Sequence, residues 1–88
     1  MAWTVEFQLT AQKRIGKLDR QTQARILGYF RERILAAEHP RQLGKPLKGE
    51  KGELWRYRIG DYRAVCKIEY ELKVVVVLTV AHRREVYR

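Results

Sequence analysis

Cysteine is almost missing from this 88-residue chain; there is one, Cys66. A lone thiol makes no internal disulfide, so packing has to hold the fold, and a reducing cytosol is the compartment that suits it. Histidine is nearly as scarce. His39 and His82 with one cysteine give no metal site of recognisable spacing, so neither metal nor cofactor is expected. Glycine-rich loops of the dinucleotide-binding and Walker kinds are absent, as is the G-x-S-x-G elbow of serine hydrolases. Long apolar runs are missing too. The longest, Val74 to Val80, is far short of the ~20 residues that cross a bilayer. No apolar run behind a basic leader opens the chain, and no repeat or low-complexity segment is visible. The expectation from these absences is a cytoplasmic protein with no membrane partner.

Acidic residues are outnumbered. There are 10 against 19 lysines and arginines, a formal charge of +9. Such an excess points to nucleic acid, an anionic surface or an acidic protein partner, and says nothing about fold. Hydrophobic residues make up 45% of the chain, enough for a core and against wholesale disorder. The length suits one small domain spanning residues 1–88.

The most informative stretch runs from Leu54 to Arg63. Trp55, Tyr57 and Ile59 alternate with Arg56 and Arg58, and Gly60-Asp61 has the composition of a two-residue hairpin loop. A loop there sets Ile59 opposite Tyr62, Arg58 opposite Arg63, Tyr57 opposite Ala64 and Trp55 opposite Cys66. Trp55, Tyr57, Ile59, Tyr62, Ala64 and Cys66 then share one face, and Arg56, Arg58 and Arg63 gather on the other. Two readings of that basic face stay open. It is a solvated surface, with arginine stems covering apolar area, or it is an anion site whose planar forks match phosphate. Cys66, on the apolar face, reads as a buried and inert thiol.

Around this hairpin the chain divides readily. Trp3, Val5 and Phe7 alternate with polar residues, as in a short strand. Thr10 offers an N-cap for a helix whose stripe is Phe7, Ala11, Ile15 and Leu18, ending near Gly16. Asp19 caps a second helix with Ala24, Leu27, Phe30 and Ile34 as its stripe, widened by Ile26 and Leu35, and Arg20, Gln23, Arg25, Arg31 and Glu32 on its polar side. That helix fades near Ala37, before Pro40. Pro40 to Glu53 reads as a basic loop, carrying Arg41, Lys45, Lys48 and Lys51, with Leu43 and Leu47 placed to pin it. After the hairpin, whose second strand reaches about Glu69, a turn at Tyr70-Glu71 leads to a strand from Leu72 to Ala81. Its run Val74 to Leu78 is apolar on both faces, as in a central strand covered on both sides. A basic tail, His82 to Arg88, follows. The fold class is α+β: a small antiparallel four-stranded sheet, mixed where the N-terminal strand joins it, packed against an N-terminal two-helix hairpin.

This order of elements, with Pro46-Leu47-Lys48-Gly49, the run Leu54 to Arg63 and the closing His82-Arg83-Arg84-Glu85-Val86-Tyr87, resembles the RelE/ParE family of bacterial toxins. The resemblance covers essentially the whole chain, and the order and spacing of the runs carry it. The tail favours the RelE branch, whose members cut messenger RNA in the A site of the ribosomal small subunit. The ParE branch, whose members inhibit DNA gyrase, and a non-catalytic basic module bound to an antitoxin remain as alternatives.

The resemblance implies the toxin of a type II toxin–antitoxin system, a metal-independent endoribonuclease in which the substrate's 2′-hydroxyl attacks and leaves a 2′,3′-cyclic phosphate. Carried onto this sequence, Arg63 and Arg83 match arginines that bind phosphate and the transition state. Arg56 and Arg58 stand at basic positions that are often lysine, and Tyr87 matches a tyrosine that orients or stacks on the scissile nucleotides. Arginine holds its proton throughout the useful range, so proton transfer shifts toward Tyr87 or His82. The tail is shorter between Arg83 and Tyr87 than in some relatives. Lys45, Lys48, Lys51 and Arg84 are expected to hold RNA backbone. The implied partners are a cognate acidic RelB-like antitoxin, the ribosome with its messenger and, through the antitoxin, operator DNA, in a bacterial or archaeal cytoplasm.

Overall fold

The alternation at the start of the chain becomes β1, Thr4–Phe7, in a computed structural model that describes residues 3–47 and 54–86. β1 pairs in parallel with β5, Val74–His82, in a register that sets Val5 beside Val75 and Phe7 beside Val77. Between them in sequence lie α1, Leu9–Gly16, and α2, Arg20–Tyr29. α2 starts where Asp19 accepts a hydrogen bond from the Thr22 N–H at 3.2 Å and one from the Thr22 hydroxyl at 2.6 Å. These bonds favour the ionised carboxylate and hold its pKa below the ordinary value. α1 departs from expectation. Its N-cap is Gln8, which makes no side-chain cap bond, and Thr10 lies inside the first turn. Instead the Gln12 side chain reaches back to the Phe7 carbonyl at 2.7 Å.

The buried face of α2 is also rotated from the expected stripe. Ile26, Phe30 and Ile34 are buried, whereas Ala24 and Leu27 are exposed. After Tyr29 the helix widens over Phe30–Ile34, and the Leu35 N–H bonds to the Phe30 carbonyl at 3.0 Å, five residues back. A wider turn rotates less per residue, which keeps Ile34 on the same side as Phe30. The rings of Phe7, Phe30 and Tyr57 meet edge to face below this helix, 5.5 and 5.8 Å apart.

Among the described residues the sheet has five strands where four were expected, in the order β1-β5-β4-β3-β2, and the helices α1 and α2 pack on its apolar face. β3, Leu54–Ile59, and β4, Tyr62–Glu69, form the expected hairpin, with Arg58 opposite Arg63 and Tyr57 opposite Ala64. Gly60 takes a positive φ of 60° in its loop. The additional strand is β2, Lys45–Pro46, drawn from the segment read as loop and paired only with Trp55 and Arg56. Pairing follows from how the segment is stapled to β3. The Trp55 indole N–H donates to the Leu43 carbonyl at 2.6 Å, and the Tyr57 hydroxyl donates to the Pro40 carbonyl at 2.7 Å. Directly after these anchors Gly44, at φ 77°, lies so close to β3 that a Cβ there would meet the Arg56 carbonyl oxygen at 2.4 Å. A side chain has no room.

β5 begins at Val74, two residues later than read, because Lys73 takes a left-handed φ of 54° and closes a turn over residues 70–73 that leaves Leu72 exposed. It lies between β1 and β4, so it is a central strand, but only one face is deep. Val75 and Val77 are buried, whereas Val74, Val76 and Leu78 are half-buried. A bulge follows. Cys66 pairs with Val77 and Val65 with Thr79, so Leu78 is skipped and the alternation changes parity. Val80 rather than Thr79 therefore faces the core. Arg83–Val86, read as an irregular tail, forms a short helix, α3.

Burial pushes the Cys66 thiol far above its ordinary pKa. Folded protein should accordingly resist thiol reagents that label the unfolded chain at once. The raised value also sets a sign: the folded state keeps a proton that the unfolded chain releases, so stability falls as pH rises through about 8.5. Cys66→Val should flatten that slope in pH-dependent urea melts. Tyr57→Phe leaves the buried Pro40 carbonyl without its donor and should cost about 1–3 kcal/mol in the same melts, with the m-value unchanged.

Candidate nucleic-acid interface

Because β2 pairs with only two residues of β3, the edge of β3 beyond Arg56 is left open, and a cleft of about 380 Å³ forms there. Arg56, Arg58 and Arg63 line it from the sheet, Gly44 and Lys45 from the stapled segment, and Tyr29 from α2. The hairpin register brings the arginines together, since Arg56, Arg58 and Arg63 project to the face opposite Tyr57 and Ala64. Their surroundings differ. Arg58 and Lys45 are exposed, Arg56 is half-buried, and Arg63 is only 5% exposed. An Arg63 Nη1 donates to the carbonyls of Gly60 and Tyr62 at 3.3 and 3.1 Å, which fixes the guanidinium behind the hairpin loop.

Two like charges directly opposite in a sheet repel, and Arg58 and Arg63 are such a pair. Lys45 opposite Arg56 is a second. A site that concentrates cations in this way is stabilised by any anion that enters it, and the forked donors of arginine suit phosphate oxygens in particular.

The tail residues are placed by the far end of β5. Tyr62 stands opposite His82, and their rings meet edge to face at 5.3 Å. The Arg83 N–H donates to the Asp61 carbonyl at 2.7 Å, and its Nε lies 4.0 Å from the Asp61 carboxylate, so Arg83 sits beside the hairpin loop rather than on the wall of the arginine cleft. His82 starts α3. Its Nδ1 accepts from the Arg84 N–H at 3.2 Å, while the Glu85 carboxylate accepts from the His82 N–H at 3.0 Å. This reciprocal arrangement has the logic of a capping box. His82 lines a separate cleft with Arg14, Lys17, Leu18, Tyr62 and Glu85. Arg84 is exposed on α3. Lys48, Lys51 and Tyr87 lie outside the described residues.

The structure adds residues that the sequence did not single out. Tyr29 and Gly44 line the arginine cleft. Arg25, on the polar side of α2, has its guanidinium against the hairpin loop, where a Cβ on Gly60 would lie 2.9 Å from the Arg25 Cζ. Helical periodicity carries no signal for a role of Tyr29 or Arg25, because it reports only which side is apolar, and Gly44 lies outside any helix. Among the described residues no group of three or more His, Cys, Asp or Glu side chains is gathered as a metal site, and no helix is long and apolar enough to cross a membrane.

A family model described as the ParE toxin of the type II toxin–antitoxin system parDE matches residues 5–87. Toxin RelG of Mycobacterium tuberculosis is 33% identical over 88 residues, which takes in 100% of this chain and 99% of the relative. The toxin–antitoxin complex RelBE2 of the same organism contains a chain 31% identical, with a TM-score of 0.83, over 94% of this chain and 93% of that one. The archaeal RelE–RelB complex of Pyrococcus horikoshii contains one 25% identical, with a TM-score of 0.71, over 94% and 97%.

Phosphate should therefore raise the melting temperature of this protein more than chloride does at equal ionic strength; a ligand at 100 times its Kd adds about 2.7 kcal/mol. Arg58→Ala, which removes one partner of the repelling pair, should lose little stability at low salt and most of the phosphate response. A full phosphate response in that variant, read by differential scanning calorimetry, would place the anion elsewhere.

Proposed function

The chain belongs to the RelE/ParE superfamily of type II toxins, and from that premise we propose that it is a ribosome-dependent messenger RNA endoribonuclease. The observation that supports this reading is the convergence of Arg56, Arg58 and Arg63, with Lys45, on one cleft. In the proposed reaction the 2′-oxygen of the nucleotide before the cut attacks phosphorus and loses its proton. The bond to the 5′-oxygen breaks, and that oxygen takes up a proton, leaving a 2′,3′-cyclic phosphate. The added charge on the phosphorane is met by guanidinium groups and needs no metal. Arg63, fixed by the loop carbonyls, and Arg83, beside the same loop, stabilise the phosphorane. Arg56, Arg58, Lys45, Lys48, Lys51 and Arg84 hold backbone. Tyr87 stacks on a base and shares proton transfer. His82, as the cap of α3, acts by holding Arg83 in position.

Arginines hold their protons near neutrality, so this cleft is stronger in charge stabilisation than in acid–base work. Such an enzyme is slow on naked RNA and depends on the ribosome to align the 2′-hydroxyl for attack. An acidic, partly helical antitoxin is the natural partner for a chain of charge +9, because opposite charge speeds encounter. Its DNA-binding part would carry the pair to operator DNA, in the cytoplasm where the ribosomes are.

The ParE description of the matching family model favours a second reading, inhibition of DNA gyrase. Primer extension on a defined messenger, with and without programmed ribosomes, separates the two. Cuts within the A-site codon that require ribosomes are expected from the wild type. Arg83→Ala should slow them roughly a hundredfold or more, as for a lost oxyanion donor. Uncut messenger from folded protein under both conditions, together with stabilised gyrase–DNA cleavage complexes on supercoiled plasmid, would reverse the assignment.

A further inference from the structure

A second groove adjoins the arginine cleft. It runs along α2 and is lined by Arg25, Arg33 and Arg58, with Glu32 as its one acidic lining residue among the described residues, and it shares Tyr29 and Arg58 with the cleft. Among the described residues, Tyr29 is the one aromatic ring that lines both hollows. It is firmly held. Its ring meets Phe30 edge to face at 5.8 Å and Tyr57 at a tilt of 58° and 6.0 Å, and the Arg33 guanidinium lies over the ring, 5.8 Å from its centroid, so a base stacking on that face takes the place of Arg33. Yet it remains half-buried rather than buried, and it lines both hollows. Burial raises the pKa of its hydroxyl above the ordinary tyrosine value.

A rigid, neutral ring between rows of guanidinium groups matches a nucleotide strand, which alternates flat bases with phosphates. Aromatic rings take bases of any identity on their faces, and flanking cations track the backbone. Gly28 on α2 and Gly60 in the hairpin loop both line the second groove, and the Arg25 guanidinium lies close against Gly60. An acidic protein segment would find the same charge but has no need of the ring.

We propose that Tyr29 is a base-stacking residue and that the groove of Arg25, Arg33 and Arg58 carries the single-stranded RNA on from the arginine cleft. This deepens the RNA-cleavage reading and rests on it for the identity of the strand, but its test is a binding measurement that needs no cleavage.

The probe is a short, fluorescein-labelled 2′-O-methyl RNA strand of mixed sequence, which cannot be cut, titrated with the full chain by anisotropy. Tyr29→Leu should weaken binding about tenfold or more, whereas Tyr29→Phe, which keeps the ring, should stay within about twofold of the wild type. Arg25→Gln with Arg33→Gln should lower the slope of log K against log salt by about 1.4, the value for two phosphate contacts on a single strand. In the wild type, the Tyr29 ring-proton NMR signals should move upfield as the strand is added, which covers the case in which Tyr29→Leu does not fold. Wild-type affinity in Tyr29→Leu, an equal loss in Tyr29→Phe, or unmoved ring signals during saturable binding would each overturn the proposal. So would a Tyr29→Leu defect confined to the antitoxin. Ribosome-dependent cutting with no Tyr29 dependence would leave the enzymatic reading standing and remove this one. Tyr29-dependent binding without cutting would do the reverse.

Discussion

The register of the β3–β4 hairpin is the constraint on which everything else in this protein rests. The two-residue loop at Gly60-Asp61 sets Ile59 against Tyr62, and from there parity does the work. Tyr57, Ile59, Ala64 and Cys66 go to the core, and Arg56, Arg58 and Arg63 go to the other face. A slip of one residue would bury the arginines and expose the aromatic face, since side chains alternate with a period of two. The same register that makes the core therefore makes the cationic site, and neither can be changed without the other.

Concentrating charge on one face needs compensation, and the structure supplies it locally. Arg63 is withdrawn from water but donates to loop carbonyls. Arg41 lies between the rings of Trp55 and Tyr70, 5.0 and 5.1 Å from their centroids, which stabilises a cation close to the stapled segment. The Tyr57 and Trp55 side chains hold that segment against β3, so Lys45 is delivered to the cleft by backbone anchors rather than by a long strand. The repulsion that remains between Arg58 and Arg63 is what an incoming phosphodiester would relieve.

The other end of the site depends on β5. Its bulge at Leu78 changes parity once, so that Ala81 stands opposite Arg63 and His82 opposite Tyr62. α3 then begins under a reciprocal cap between His82 and Glu85, and Glu85 also lies 3.6 Å from Arg14 of α1. Both groups of that ion pair are exposed and add little stability by themselves. Together with the Arg83 bond to Asp61, they fix the direction in which the tail leaves the sheet.

Local rules were enough for part of this. Strand alternation, the glycine-aspartate loop and the Asp19 cap each depend on residues near one another in sequence, so the hairpin pairs, the start of α2 and the grouping of three arginines were all legible in the chain. The rest depended on contacts between distant segments. Packing on the sheet buried Ile26 rather than Leu27 of α2. The anchors from Tyr57 and Trp55 turned an expected loop into β2. The bulge hid in a run of valines, where no polar residue marks which side is out. Periodicity placed Arg25 only on the polar side of its helix and left Tyr29, which packs against Tyr57 of β3, out of the apolar stripe. By itself the sequence determined which residues are cationic and which share a strand face, because that is fixed by covalent neighbours. Only the tertiary structure decided which helix borders the cleft and where Arg83 stands, because those positions follow from packing between elements that no local pattern encodes.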